Sequence, residues 1–295
     1  MVRLVVDSIC DLPCELIEKY NIGVLPLFVT IGDESYRDRV DIQLEQVYEK
    51  MRQGIVPMTS QISSGDTEEL FRKICGDGDD LIYLSFSSGL SGTYQLANII
   101  IEDLKAEYPD RKLEAIDSEA GSMGIGIIAL QAARWAAQGR DFDFIRNGIY
   151  DMIPKTRHLF TLESLSWLAK GGRITPPAGY IGDKLQIKPI LDIENKLLHV
   201  VTVVRGRKAA FKMLINMTQK EAKNFPKQLI GIAHADDTEA AETIEKMVKE
   251  AFPESKTFIH PIGCVLGSHL GIGGVGILFF TDPTEGYDLM DEDLV

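Results

Sequence analysis

The sequence predicts an α/β protein made of two unlike halves, an N-terminal domain with a mostly parallel sheet and a C-terminal α+β domain. Three observations carry this. The first half alternates short β-rich runs with helical patterns, the signature of βαβ units. After Pro154 the strands become alternating and hairpin-like, as in an antiparallel or mixed sheet with helices on one face. The chain is 295 residues long with 45% hydrophobic and 25% charged residues, enough for two cores and unlike a disordered or disulfide-dense chain.

The elements follow in order. Residues 3–7 read as a buried strand, after which Asp11 is placed to cap a helix reaching residue 20, with Pro13 in its first turn. Residues 24–30 form a second strand and 31–34 a turn. Asp41 caps a helix near 42–53, and Asp66 starts another running to about 75. The continuous apolar run 81–86 is a strand, followed by a Gly/Ser turn and a helix over 91–108. Residues 113–117 repeat the pattern before a helix over 126–138. In the second half, strands are expected at 158–162, 189–193, 197–204, 229–233, 256–259 and 275–281, with helices at 208–223 and 238–251. The boundary between halves falls near Pro154 to His158.

Charge and cysteine narrow the function. Thirty-one basic against 44 acidic side chains give a formal net charge of −13. Such a surface repels phosphate backbones and anionic headgroups, so nucleic-acid binding is disfavoured, and any anionic ligand must be held by local donors. Acidic residues concentrate after Asp282, a tail that reads as solvated. Cys10, Cys14, Cys75 and Cys264 include no CxxC pair; they read as small packing residues rather than zinc ligands or bridges. No run approaches 18 apolar residues, and Asp7 arrives too early for a signal peptide, so a cytoplasmic location is expected.

Four segments are candidates for chemistry. Ser85 to Thr93, reading Ser-Phe-Ser-Ser-Gly-Leu-Ser-Gly-Thr, lies where a strand hands over to a helix, the position at which open α/β sheets gather ligands. It lacks the lysine of a phosphate loop and the second glycine of a nucleophile elbow. A small-anion cradle and a tight turn with hydroxyl caps both remain open for it. The hydroxyl cluster Thr59-Ser60-Gln61-Ile62-Ser63-Ser64 reads first as a helix N-cap, and gains interest only if the fold sets it beside Ser91. His269 stands among five glycines between 263 and 274, in a loop that either meets a ligand or merely turns a sheet corner. Lys170-Gly-Gly-Arg173 and Arg205-Gly-Arg-Lys208 are local basic turns, fit for a phosphate or simply solvated. His158, His199, His234 and His260 lie in strand patterns and read as satisfied structural histidines. Gly124-Ile-Gly126-Ile-Ile-Ala129 matches G-x-G-x-x-A, but it does not directly follow a strand and lacks the acidic ribose ligand, so a dinucleotide site is rejected.

Together these motifs resemble the DegV family of bacterial fatty-acid-binding proteins, the acyl-carrying subunits of fatty acid kinase. The resemblance runs over nearly the whole chain: Val6-Asp7-Ser8 with Asp11-Leu12, Thr59-Ser60-Gln61, Ser88 to Tyr94, Asp117-Ser118, Leu165 to Ile174, Lys188 to Leu191, Arg205 to Ala209, and the His269 loop. It implies a three-layer α/β/α domain over 1–156, a two-layer α+β domain over 157–283 and an acidic tail over 284–295, with a ligand tunnel between the domains. It further implies one long-chain fatty acid, its carboxylate held among Thr59, Ser60, Ser88, Ser91, Gly92 and His269. A separate kinase subunit, carrying ATP and Mg²⁺, would phosphorylate that carboxylate, with Arg173 and Arg205 near the mouth meeting the phosphate or the kinase. On this reading the chain has no catalytic residue, metal or cofactor of its own. Ile62 and Ile272 stand where relatives carry Pro, which bears on the pocket's shape. The rival readings are a serine-type acyl-ester hydrolase using Ser or Thr, His269 and a carboxylate such as Asp117, and a sugar- or dihydroxyacetone-type kinase domain. DNA-binding regulation is opposed by the charge.

Overall fold

The computed structural model describes residues 1–175 and 186–290. A four-stranded parallel sheet organises the N-terminal half, in the order β2 (Gly23–Leu25), β1 (Val2–Asp7), β6 (Asp80–Ser85), β7 (Leu113–Asp117). Leu4, Val5 and Val6 of β1 and Leu81 to Leu84 of β6 are all buried, as continuous apolar strands must be when both faces are covered. Helices α3 (Ser64–Gly76) and α4 (Thr93–Glu107) pack on β6 and β7, while α5 (Met123–Ala137) crosses β1 on the other side with α6 (Phe142–Met152) beside it.

The run expected as one strand at 24–30 is broken by Pro26. Without an N–H, Pro26 cannot continue a ladder, and the chain leaves the parallel sheet after Leu25. It re-enters a separate antiparallel sheet, β4 (Glu34–Arg37), β3 (Phe28–Ile31), β5 (Met58–Ser60). Two expected caps also differ. Asp41 chelates Arg37 instead of capping, and α2 (Leu44–Arg52) begins with a Gln43/Gln46 capping box. Asp11 takes a left-handed conformation (φ 49°) ahead of the short α1 (Cys14–Lys19), and its carboxylate points into the molecule. Cys14 is exposed and contacts Arg39, whereas the other three cysteines are buried as expected.

A six-stranded mixed sheet builds the second half: β10 (Leu197–Arg205), β9 (Ile187–Glu194), β8 (Thr156–Thr161), β13 (Val275–Phe280), β11 (Leu229–His234), β12 (Lys256–Pro261). Within it β11 and β12 run parallel and the remaining neighbours antiparallel. Helices α8 (Arg207–Glu221) and α9 (Thr238–Ala251) cover one face, where Phe211, Leu214, Ile244 and Val248 pack on Leu159, Ile232, Ile277 and Phe279. The other face turns toward α5, so this helix is buried between the two sheets. Thirteen of its 15 residues are buried, which is why it is apolar all round.

The glycines of its G-x-G-x-x-A echo serve that packing. A Cβ on Gly124 would lie 2.0 Å from His158 Nε2, and one on Gly126 would lie 2.5 Å from the Cys10 carbonyl oxygen.

The acidic tail departs from the solvated segment expected. Leu289 is fully buried, Gly286 accepts from the Trp135 indole (2.8 Å), and Asp288 pairs with Arg134 (2.8 Å) while accepting from Gln131. The tail's start is therefore strapped across α5; Asp291, Glu292 and Asp293 lie outside the described residues.

Candidate functional site

Between the second sheet and the N-terminal domain lies a cavity of about 240 Å³, far beyond the ~10–15 Å³ that one ordered water needs. Ile9, Leu27, Phe86 and Leu90 line it from the N-terminal side; Phe160, Leu162, Leu168, Ile193, Leu198 and Leu278 line it from the other. The cavity is long in one direction. His158, Phe160 and Leu162 are alternate residues sharing one face of β8 and its extension, and all three line the wall. At ~3.3 Å per residue they span about 13 Å.

At the Leu162 end the polar groups close into a ring. Thr59 Oγ1 and His269 Nε2 are 2.7 Å apart. The far side of the imidazole lies on Gly171, where a Cβ would come within 2.1 Å of Nδ1. The Gly171 carbonyl accepts from Arg173 Nη1 (2.6 Å), and Arg173 Nε reaches the Leu90 carbonyl (3.4 Å). Ser91 follows, its hydroxyl 2.8 Å from Thr93 Oγ1 at the start of α4. Gly92 closes the ring, since a Cβ there would meet Gln61 Oε1 at 2.5 Å. The hydroxyl cluster at 59–64 is thus brought beside Ser91, and Ser63 also caps α3 by accepting from Asp66 N. Ser60 and Gly92 are exposed, Thr59 and Ser91 half-buried and His269 buried, so this end opens to solvent.

His269 does not sit in a flexible loop as expected. The segment forms α10 (Cys264–Leu270), packed on α2 and on α7 (Ser166–Lys170). Burial, and secondarily the Arg173 guanidinium, pushes the His269 pKa down to about 4, so the ring is neutral in ordinary buffer. Nδ1 has no partner among the described residues. With the proton on Nε2, His269 donates to Thr59 Oγ1, and the threonine's own proton is free for a group in the cavity. Among the described residues no carboxylate pairs with Arg173, so this end holds a cation and neutral donors: an anion receptor with an apolar chamber behind it.

The remaining candidates fall elsewhere. Ser88 is half-buried, with its N–H on Asp117 Oδ1 (3.1 Å), and does not line the cavity. Arg205 is exposed at the end of β10, away from the lining; its neighbour Arg207 is paired with Asp237 and Glu163. Ile62 is buried in the core and Ile272 packs against that core, so neither shapes the cavity wall. Asp117 binds Lys196 (2.9 Å), not His269, and the Ser91 hydroxyl is turned to Thr93. The three-membered relay of a serine hydrolase is therefore not assembled.

Sequence reasoning missed the other polar groups of the wall, Gln61, Ser122 and His158. It also missed a buried acid cluster beside the cavity. Asp7 accepts from Phe86 N (2.8 Å); Asp11 accepts from Gly263 N (2.9 Å) and the Ser122 hydroxyl; Asp38 accepts from the Ser8 hydroxyl (2.7 Å). Burial raises the pKa of Asp7 and of Asp11 to about 7. Asp11 thereby ties α5's start to α10's start. Asp7 and Asp11, close together after the first strand's apolar run, were the available signal, but Asp7 reads as a strand end and Asp11 as a helix cap. No group of three or more His, Cys, Asp or Glu is arranged to hold a metal among the described residues.

An α/β protein with an apolar chamber between its two halves and a hydroxyl–imidazole–guanidinium mouth is the class this geometry defines. The DegV family model, described as an uncharacterised protein family, matches residues 1–282, and the chain belongs to that family. It is 38% identical over 282 residues to the DegV domain-containing protein CPE0026 of Clostridium perfringens, covering 95% of this chain and 97% of that protein. Among solved structures it resembles a DegV lipid-binding protein of Thermotoga maritima, with TM-score 0.83, 28% identity, and 94% and 97% of the two chains covered. It is similar also to a stearic acid-binding protein of Eubacterium ventriosum, with TM-score 0.86, 26% identity, and 94% and 97% covered.

Proposed function

We propose that this protein binds one long-chain fatty acid, with the acyl chain in the cavity and the carboxylate at the ring formed by Thr59, Ser91 and His269. The observation that carries the reading is the asymmetry of the chamber: apolar walls along its length, and at one end two hydroxyls, a neutral imidazole and Arg173. Each methylene removed from water contributes ~0.8 kcal/mol, and a buried carboxylate is tolerable only where donors meet it. The Thr59 proton, the Ser91 hydroxyl and the Arg173 guanidinium supply those donors against an overall charge of −13. Relatives of the same fold described as lipid-binding and stearic acid-binding favour this ligand class.

The chain then acts as a presenter. Nothing in the ring is poised as a nucleophile, and the carboxylate would lie where exposed Ser60 and Gly92 mark the opening. A separate kinase subunit holding ATP and Mg²⁺ would phosphorylate it there, in the cytoplasm, giving an acyl phosphate. Arg173 would steady the growing negative charge, and exposed Arg205 would serve docking rather than ligand contact.

Native mass spectrometry of protein purified from bacterial cells tests the ligand: one co-purifying fatty acid is expected, and a spectrum free of lipid even after incubation with fatty acid contradicts the reading. Acyl phosphate formation on adding the kinase subunit and ATP tests the role; its absence would leave a binding protein without this partner.

A further inference from the structure

Along the chamber the floor rises from bare backbone to a full side chain. Gly274, Gly276 and Leu278 are alternate residues on the chamber face of β13 and its approach, and all three line it. β13 runs antiparallel to β8, which sets Gly276 opposite Phe160 and Leu278 opposite His158. On the other side Ala233 of β11 stands opposite Gly276 and also lines the chamber. Over β13 there is thus a lane without side chains, walled by Leu162 and Phe160 on one side and by Ala233 on the other. It begins at the Leu162 end, beside the polar ring. A Cβ on Gly276 would lie 2.7 Å from that of Phe160, so any larger residue there would displace β8. At Leu278 the lane ends. Leu278 is buried; Phe280, next on the same face, and Thr156 opposite it do not line the chamber. Beyond Leu278 the Phe280 ring is held edge-on against Tyr287, 6.1 Å between centroids. Both flanks of Leu278 are closed as well. On β8 the His158 ring is wedged against Gly124, and its Nε2 accepts from Gly121 N (3.2 Å). On β11 the residue opposite is Gly231, and the space above it is taken by the Met123 methyl, which a Cβ there would meet at 2.9 Å.

We propose that Leu278 is the stop against which the methyl end of the acyl chain rests, so that this one side chain sets the longest fatty acid the chamber accommodates. The inference rests on the fatty-acid reading above and deepens it to a chain-length class. Each methylene laid in the lane leaves water and raises affinity about fourfold. That gain lasts until the methyl group touches Leu278. One further methylene must kink the chain or push into a close-packed wall, and either cancels the gain. Alanine in place of Leu278 removes an isopropyl group at the end of the lane and leaves room for about two further methylenes. The mouth selects the acid, and Leu278 selects its length.

Delipidated protein, titrated with the saturated acids from decanoic to eicosanoic in competition with a fluorescent fatty acid, tests this. Affinity is expected to climb about fourfold per methylene up to one length and then to stop climbing. In Leu278→Ala that break should move to an acid about two methylenes longer, and in Leu278→Val to one about one methylene longer. Ile277→Ala is the control for loosened packing. It truncates the neighbouring residue of the same strand, whose side chain packs on the opposite face among residues of α8 and α9, and it should leave the break in place. A break at the same acid in all of these proteins overturns the stop while the fatty-acid reading stands. So does an equal move in Ile277→Ala, or an affinity that climbs without a break to eicosanoic acid. If no acid binds, both readings fall. Should Leu278→Ala fail to fold, the milder Leu278→Val decides.

Discussion

On the proposed reading His269 and Thr59 act as one donor: with its proton on Nε2 the neutral ring donates to the threonine oxygen, and the threonine's own proton is left for the ligand. Removing either side of the pair should weaken fatty-acid binding: Thr59→Val by about tenfold and His269→Ala by about 10- to 100-fold, the range for a hydrogen bond to a charged group, measured by titration. The ring's depressed pKa also sets a pH dependence. Between pH 6.5 and about 4 the unfolded chain protonates this histidine and the folded chain does not, so its contribution to stability is complete above 6.5 and is lost as pH falls. Asp11 works in the opposite sense. Its folded pKa of about 7 lies above the unfolded value near 3.8, so the folded state keeps a proton that the unfolded state sheds, and stability falls as pH rises between the two. Asp11→Asn keeps an acceptor for Gly263 N and turns the Ser122 contact round, its amide donating to the Ser122 oxygen. It should reduce the loss of stability between pH 5 and pH 8 by about 2 kcal/mol in denaturant titrations; an unchanged pH profile would mean that Asp11 is ionised in the folded protein.

Elements were legible where local pattern decides them. The run 238–251 is α9 to the residue, and the β9–β10 hairpin, α8 and the parallel strands lie within a few residues of expectation. The misses at α10 and His158 share a cause in long-range packing. α10 looked like a glycine loop because Gly267 and Ser268 lie within it and Gly263 and Gly271 flank it, and what holds the helix is the ring of Tyr48 pressed against Gly267. A Cβ at 267 would stand 2.5 Å from the Tyr48 hydroxyl, itself bonded to the Ile262 carbonyl (2.9 Å). Gly267→Ala should therefore cost about 1–3 kcal/mol in thermal or chemical unfolding and weaken ligand binding by shifting His269. Adding Tyr48→Phe, which removes the nearest clashing atom, should restore part of the binding. If Gly267→Ala is neutral in both measurements, α10 is not positioned by this contact. His158 was misread for the same reason: its strand pattern is that of a core histidine, and only the approach of α5 shows that one ring nitrogen is satisfied and the other is not.

The whole molecule is held around α5, which receives the first sheet on one side, the second sheet on the other and the returning tail along its end. That return was illegible in the composition. A run of acids reads as solvated, yet Arg134 and Gln131 of α5 wait for Asp288, and Leu289 fills the core beside them. Leu289→Ala should lower stability by about 2–4 kcal/mol, the cost of deleting a buried leucine, where a solvated tail would give almost none. The two-domain plan and the apposition of residues 59, 91 and 269 were legible through ordered motifs, but the chamber's length and its remote polar wall depend on how the domains meet. The central claim concerns what fills that chamber and which way round it lies. A crystal structure of the protein with stearic acid tests it most directly. The account expects the carboxylate within hydrogen-bond distance of Thr59 Oγ1 and Ser91 Oγ, and the chain running past Phe160 toward His158. A carboxylate at the His158 end, or an acid bound anywhere outside the chamber, would contradict it.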